Sequence, residues 1–349
     1  MSIPRRAAIV VPLIGAVSGC SPSPTPTPSP APTASGSPAT ECVTLDSYSF
    51  DWVGDPCSPG SSPVSDDQNM ARIDWHGPLR MSPRGAVAWY HGGLVEWDER
   101  GHPSHLLAVR TASTTAYAVL GKDIVVPLCD GRIQRWTDGC PGEVLAGHGG
   151  AHVVAMATID ESHFATLGDD QQLALWDVAQ RQPVATANIS AKNLVRLELS
   201  DGVLWASTPT ACFGYDARQL TEAGTVADLP SSPYGWAPAP GRRFVGHADA
   251  LIVAQIGKGV VARHDTNRTK MYAAASPDGY IGAIGQGRLF TGNIDGPVTR
   301  SEYVDAPHHP AGLAFSKEGN VHLLDHLRGG GKLNPAANRL EYSYASPRR

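Results

Sequence analysis

A group of histidines near the C-terminus is the feature of this sequence with the clearest potential for metal chemistry. His308 and His309 are adjacent, and His322 and His326 follow, with Asp325 beside the last of them. On a strand, His322 and His326 would share a face, and neutral imidazole is a common metal ligand. However, 13 histidines are spread along the chain, and clustered histidines in loops are usually solvated. The sequence therefore predicts no metal site.

The sequence contains none of four common motifs of catalytic and metal sites. The chain has no GxSxG elbow, no Walker loop, no HExxH and no CxxC, which are the short motifs that mark common hydrolases, nucleotide sites and metal sites. We therefore expect a protein that is not an enzyme and that needs no cofactor.

A proline-rich segment carries side chains suited to binding. Residues 229–243, LPSSPYGWAPAPGRR, place two aromatic residues among prolines and end in two arginines. Aromatic and Arg side chains are frequent anchors at interfaces, and binding residues concentrate in long loops on rigid scaffolds. The alternative is that the tryptophan packs onto its own sheet. The candidate binding loop consists of Tyr234, Trp236, Arg242 and Arg243.

The framework for these residues comes from repetition. A short pattern recurs: a small turn residue, then an apolar residue, then a position that holds Trp or a substitute for it. We call this last position the slot. The slots are Trp97, Trp136, Trp176, Tyr215, His264, Ser301 and a position near Tyr342. The steps are 39, 40, 39, 49, 37 and 41 residues, so the long fourth step places an insertion within 229–243. A period near 40 residues is typical of propeller blades.

Composition and turns agree with this reading. The chain of 349 residues has 37 Gly and 29 Pro and only 17% charged residues, which favours many short strands joined by turns. Turn-like MSPRG at 81–85, ASPDG at 275–279 and FSKEG at 315–319 are predicted to join the first two strands of a blade. The sequence predicts an all-β propeller of seven four-stranded blades. Because an open ring exposes edge strands, we expect Val43–Trp52 to pair with the last blade near Leu340–Tyr344.

The third unit, residues 147–178, resembles the WD-repeat family of β-propellers. It begins with a Gly-His pair and ends with a Trp-Asp pair, and weaker copies extend the resemblance over roughly residues 70–345. In that family a His, a Ser or Thr, a turn Asp and the Trp form a buried hydrogen-bonded set. The resemblance implies this structural role for His148, Thr166, Asp169 and Trp176.

The N-terminus reads as an export signal. Arg5 and Arg6 precede a short apolar run that is too short for a membrane span, which needs about 20 residues, and small residues follow it. The tetrapeptide VSGC ending at Cys20 resembles the bacterial lipobox, which implies a diacylated Cys20 at the mature N-terminus. We expect residues 1–19 to be a lipoprotein signal peptide, 20–41 a lipidated Cys and a disordered Pro/Ser/Thr tether, and 42–349 the propeller.

Five cysteines follow Cys20, and an oxidising compartment would pair some of them. We predict a local bridge between Cys42 and Cys57. Cys129 and Cys140 should lie at opposite ends of a hairpin, which is too far for a disulfide. Cys212 falls within a predicted strand, and with five thiols at least one is unpaired.

Together these features predict a monomeric propeller that is exported and lipid-anchored to the bacterial cell membrane or outer membrane, with its head outside the cytoplasm. Its expected role is a platform that binds an envelope protein or a glycan. The alternative is an enzyme that acts on envelope glycans through carboxylates that converge in the central channel. The net charge of -5 and the lack of a basic patch argue against a nucleic-acid partner.

Overall fold

The computed structural model describes most of the chain after residue 38. The described residues are 39–47, 57, 78–82, 84–90, 92–98, 102–112, 116–266, 271–285, 288–302, 310–315, 320–325, 329–334 and 339–342. All of them belong to one compact unit, Ala34–Arg349. The predicted signal peptide, Cys20 and all but the end of the predicted tether lie outside the described residues, as do His308, His309 and His326.

A short 3-10 helix at Leu45–Ser47 precedes a series of short strands. The strands are β1 (Arg80–Ser82), β2 (Gly85–Tyr90), β3 (Gly93–Trp97), β4 (Pro103–Val109), β5 (Ala118–Leu120), β6 (Asp123–Pro127), β7 (Ile133–Thr137), β8 (Cys140–Leu145), β9 (Val153–Thr158), β10 (His163–Gly168), β11 (Gln172–Asp177), β12 (Pro183–Asn188), β13 (Arg196–Ser200), β14 (Val203–Ser207), β15 (Cys212–Asp216), β16 (Glu222–Val226), β17 (Ala237–Ala239), β18 (Arg243–His247), β19 (Ala250–Gln255), β20 (Gly259–Asp265), β21 (Tyr272–Ala275), β22 (Tyr280–Gly285), β23 (Arg288–Asn293), β24 (Val298–Glu302), β25 (Pro310–Phe315), β26 (Val321–Asp325), β27 (Gly329–Asn334) and β28 (Arg339–Tyr342). No helix in this part of the chain is long and apolar enough to cross a membrane.

Each run of four consecutive strands forms one antiparallel sheet, from β1–β4 to β25–β28. We number these seven four-stranded sheets blades 1 to 7 in chain order. Tight turns join the strands; between β13 and β14, for example, Asp201 and Gly202 both have positive φ, at 51° and 74°, as a two-residue hairpin requires. The predicted turns at 81–85 and 275–279 join the first two strands of blades 1 and 6, which confirms them. The architecture is an all-β propeller.

The hydrophobic core is divided among seven clusters, one between each pair of neighbouring blades. Between blades 1 and 2, for example, Trp89 packs with Tyr117 and Trp136. The same pattern follows around the chain to blades 6 and 7. The last cluster joins Ala314 of blade 7 to Leu79 and its neighbours in blade 1. No sheet buries its faces alone, so the blades stabilise one another as a closed ring.

The described part of the N-terminal segment does not close the last blade. Residues 39–47 lie against blades 1 and 2, where Val43 donates its N–H to the Gly139 carbonyl at 2.8 Å and packs on the cores of both blades. The Gln134 carboxamide bonds both backbone groups of Ala39, at 3.1 and 2.9 Å. Blade 7 takes all four of its strands from residues 310–342. The C-terminal part of Val43–Trp52 lies outside the described residues.

The predicted register is wrong in blades 5, 6 and 7. In blades 1 to 4 the slot residue lies on the third strand next to a β-bulge. In blade 5 the same bulge falls at Ala254 on β19, which is 39 residues after Tyr215. His264 and Ser301 instead lie on outer fourth strands, as does Tyr342. The repeat pattern matched strand β20 in blade 5 because its sequence GVVARHD alternates, although the strand is a largely exposed edge. With the slot of blade 5 at Ala254, the step from blade 4 is no longer 49 residues, and the predicted insertion within 229–243 is not present.

The predicted Cys42–Cys57 bridge is wrong as well. Cys42 pairs with Cys140, and Cys57 pairs with Cys129. The reason is the course of the N-terminal segment, which runs over blade 2 and brings Cys42 beside the start of β8. The expectation that Cys129 and Cys140 do not pair with each other is confirmed. Cys212 is a free, buried thiol.

Candidate functional site in the central channel

The hydrogen-bonded set predicted for blade 3 exists, with one different member. Thr166 Oγ1 lies 2.7 Å from His148 Nε2 and accepts a hydrogen bond of 2.8 Å from Trp176 Nε1. His148 Nδ1 lies 3.2 Å from both carboxylate oxygens of Asp170. Asp169 is exposed, and its backbone N–H binds the His152 carbonyl. Because the two aspartates are adjacent in one turn, the sequence alone could not show which of them binds His148.

This set is structural, because it satisfies polar groups inside the blade. Blades 1 and 2 place Ala88 and Val126 at the position of Thr166, opposite the third strand. The buried indole N–H groups of Trp97 and Trp136 accordingly have no partner among the described residues. Blade 3 alone in this comparison pairs its slot indole, and it is the blade that resembles the family most.

Replacing Asp170 by Asn should lower the free energy of unfolding by about 1 kcal/mol, because it weakens a hydrogen bond to a charged acceptor at a half-exposed site. The matched change Asp169→Asn, one residue away, should leave stability unchanged, since the Asp169 carboxylate makes no contact with His148. Denaturant midpoints of the two variants give the comparison. Equal midpoints, or a larger loss for Asp169→Asn, would restore the sequence-based assignment.

The candidate binding loop does not form a single site. Trp236 is 1% exposed and packs in the core between blades 4 and 5. Its indole N–H donates to the Pro209 carbonyl at 3.0 Å, and its backbone N–H donates to Ser207 Oγ at 3.1 Å. Gly246 leaves room for the ring, since a Cβ there would lie 2.7 Å from it. Trp236 is therefore a packing residue, as the alternative interpretation held.

The other three members lie apart from one another. Tyr234 lines the central channel, with its ring 6.3 Å from that of Tyr272. Arg242 is exposed in the turn between β17 and β18, at the other end of strand β17. Arg243 bonds the Pro240 carbonyl at 2.9 Å and forms an ion pair with Asp295, which links blades 5 and 6. Only Tyr234 and Arg242 are placed where a ligand can reach them.

The channel runs along the first strands of the blades and holds two adjoining cavities. The narrower cavity has a volume of about 60 Å³, and the wider one, which we call the vestibule, about 500 Å³. The two share five lining residues and therefore adjoin. The shared residues are Pro78, Arg80, Arg196, Glu198 and Tyr272.

Two arginines converge on this junction from opposite parts of the ring. Arg196 on β13 is buried, donates from Nε to Glu198 Oε1 at 2.6 Å and from Nη1 to the Ala273 carbonyl at 2.9 Å, and lies 5.1 Å from the Tyr272 ring centroid. Arg80 on β1 bonds the Met156 carbonyl and lies 5.6 Å from the Tyr117 ring centroid. Stacking on a ring restricts a guanidinium and adds cation–π attraction.

The tyrosines around these arginines are neutral at physiological pH. Burial raises the pKa of Tyr117, and the positive charge of Arg80 offsets only part of that effect. Burial also raises the pKa of Tyr272, although Arg196 and Arg80 both act in the opposite direction. Tyr117 donates its hydroxyl to the Pro78 or Val87 carbonyl, each at 2.6 Å. The formal charge at the junction therefore comes from the two arginines and Glu198.

The vestibule also contains carboxylates, which bears on the enzyme alternative. Glu198 is bonded to Arg196. Burial acts to raise the pKa of Asp160, but hydrogen bonds from Ser162 and His163 outweigh it and lower that pKa to about 2. A general acid needs a raised pKa instead. Within the described residues no group of three or more His, Cys, Asp or Glu is placed to hold a metal ion.

The sequence reasoning missed Arg80, Arg196 and Glu198. The sequence did contain a weak indication of two of them. In LVRLELS, on the first strand of blade 4, Arg196 and Glu198 alternate with leucines, at positions where a strand buried on both faces would carry apolar side chains. In a propeller, such residues face the channel. Recognising them required knowing which strand of each blade is innermost.

Comparison with known proteins supports the fold. The chain is 24% identical to the ciliary WD repeat-containing protein ctxp80 of Euplotoides octocarinatus, over 58% of this chain and 28% of that protein. The chain thus matches less than a third of that protein's length. No protein-family model matches the sequence. The distant similarity and the ring of four-stranded sheets together support a WD-repeat propeller, a class whose members typically act as non-enzymatic scaffolds.

Proposed function

We propose that this protein is an exported WD-repeat-like propeller, anchored to the bacterial envelope by lipid on Cys20, that serves as a platform for binding an envelope protein or a glycan. The tether of residues 20–41 holds the ring away from the membrane. The ring presents its turns and its channel to the partner. Its chemistry is recognition and not catalysis.

The two disulfides carry the proposal of export. Cys42–Cys140 and Cys57–Cys129 fasten the segment that follows the tether to blade 2. Disulfides persist in oxidising compartments and are rare in the cytosol. A protein displayed outside the cytoplasm could use such a pair of disulfides to fix the segment after the tether against the ring. Their position supports the signal and lipidation site that the sequence predicts.

The ring combines a rigid buried core with exposed turns, which supports a role as a binding platform. The buried clusters between blades fix the backbone, while the turns between strands carry exposed, varied side chains such as Lys122, Glu161 and Arg242. Binding residues typically occupy such loops on a rigid scaffold. The similarity to a WD-repeat protein favours the same use, by analogy of fold.

Affinity capture tests the platform function. The full chain, tagged at its C-terminus, is expressed in its own cells, cross-linked and recovered from solubilised envelopes. We expect at least one envelope protein or glycan to be recovered in a fixed ratio and to be displaced by an excess of untagged native chain. Recovery of material that the excess does not displace, or of nothing beyond the tag control, would contradict the proposal.

A further inference from the structure

We propose that the junction of the two channel cavities is a binding site for a single carboxylate group, held between Arg80 and Arg196, with the rest of the ligand in the vestibule. This site lies in the channel, and the vestibule beside it is lined in part by turn residues such as Gly121, Glu161 and Pro277. It is an addition to the platform function and does not depend on the lipid anchor.

Arg80 carries an unsatisfied donor. Arg80 Nε is fully buried, and no acceptor among the described residues lies within hydrogen-bonding distance of it. Leaving a buried charged donor without an acceptor is costly. The Arg80 Nη2 group is already bonded to the Met156 carbonyl, and the guanidinium lies over Tyr117. The side chain lines both cavities, and it carries one donor that is enclosed and unsatisfied.

The formal charge of the narrower cavity matches a monoanion. The narrower cavity is lined by two guanidinium groups and one carboxylate, so its formal charge is +1. Tyr272, which also lines this cavity, is neutral, because burial raises its pKa. A monoanion would neutralise the site, whereas a dianion such as phosphate would leave it negative beside Glu198. Charge therefore favours a carboxylate over a phosphate.

The size and shape of the two cavities suit a carboxylate at the end of a larger molecule. A volume of about 60 Å³ accommodates roughly four to six water molecules, which suits a carboxylate with its first carbon. The planar fork of a guanidinium matches the planar carboxylate. The vestibule of about 500 Å³ accommodates a larger body, such as an acidic sugar or the end of a peptide. The ligand class is thus a small molecule or chain end that bears one carboxylate.

Binding of acetate to the full chain tests the site, with sodium chloride at equal ionic strength as the reference and inorganic phosphate as the comparator. Titration by saturation-transfer NMR should show saturable acetate binding. Arg80→Met should weaken it by about tenfold or more, the loss expected for one charge-assisted hydrogen bond. Arg218→Met should leave it unchanged, because Arg218 is exposed in the turn after β15, outside both cavities.

The variant Glu198→Gln gives an outcome that a purely structural role would not. The new Gln can still accept the hydrogen bond from Arg196 Nε, but the loss of the negative charge leaves both guanidinium groups uncompensated and should strengthen acetate binding several-fold. If Arg80→Met does not fold, this variant decides the matter alone. Absence of saturable acetate binding, or unchanged affinity in Glu198→Gln, would overturn the site. Tighter binding of phosphate than of acetate would overturn its assignment to a carboxylate.

Discussion

The variant Trp236→Ala should lose about 3–5 kcal/mol of unfolding free energy, the usual cost of deleting a buried aromatic side chain. The ring is 1% exposed and fills the core between blades 4 and 5 beside Trp205 and Phe244. Its loss also removes one of the two hydrogen bonds that the Pro209 carbonyl accepts, the other coming from the Ser232 N–H. The midpoint of denaturant unfolding measures the effect, and it should fall well below that of Tyr234→Ala, whose side chain is only partly buried.

The glycine beneath this ring provides an independent check. A Cβ on Gly246 would lie 2.7 Å from Trp236, so Gly246→Ala should cost about 1–3 kcal/mol through overpacking. In the Trp236→Ala background the clash is gone, and the same change should cost much less, which gives a non-additive double-mutant cycle. If instead Trp236→Ala keeps wild-type stability and loses partner capture, the tryptophan is a binding residue after all.

The fold could be predicted because the sequence repeats it. Apolar runs of five or six residues, turn residues at fixed spacing and the slot tryptophans at Trp97, Trp136 and Trp176 all depend on local structure, and local structure sets the blade. The family resemblance in residues 147–178 fixed the register of the third blade and of its neighbours. It was insufficient in blades 5 to 7, where the slot no longer holds a Trp.

What could not be predicted depends on distant parts of the chain. The partners of Cys42 and Cys57 are 98 and 72 residues away, and only the placement of residues 39–47 and of Cys57 beside blade 2 selects them. The exposed outer strand β20 has an alternation that a half-buried strand also shows, so the pattern of His264 and its neighbours matched the wrong strand. The choice of Asp170 over Asp169 depends on the direction of one turn.

The channel residues show the same limit for function. Arg80 and Arg196 are 116 residues apart, and each looks like an ordinary surface arginine in the sequence. The ring brings both to the edge of one cavity and stacks each on a tyrosine. A convergent site assembled from the first strands of several blades has no sequence signature, because each strand contributes a single residue or two.

The central claim is that lipid on Cys20 displays the ring outside the cytoplasm, and the variant Cys20→Ala tests it most directly. Each buried methylene of an acyl chain contributes about 0.8 kcal/mol, and two chains are enough for stable anchoring, so a lipidated chain should sediment with membranes. We expect the wild type and the neighbouring control Ser21→Ala in the membrane fraction, and Cys20→Ala in the soluble fraction. Wild-type protein should also yield an N-terminal peptide that begins at acylated Cys20. Unchanged membrane fractionation of Cys20→Ala, with an unmodified Cys20 in the wild type, would contradict the account.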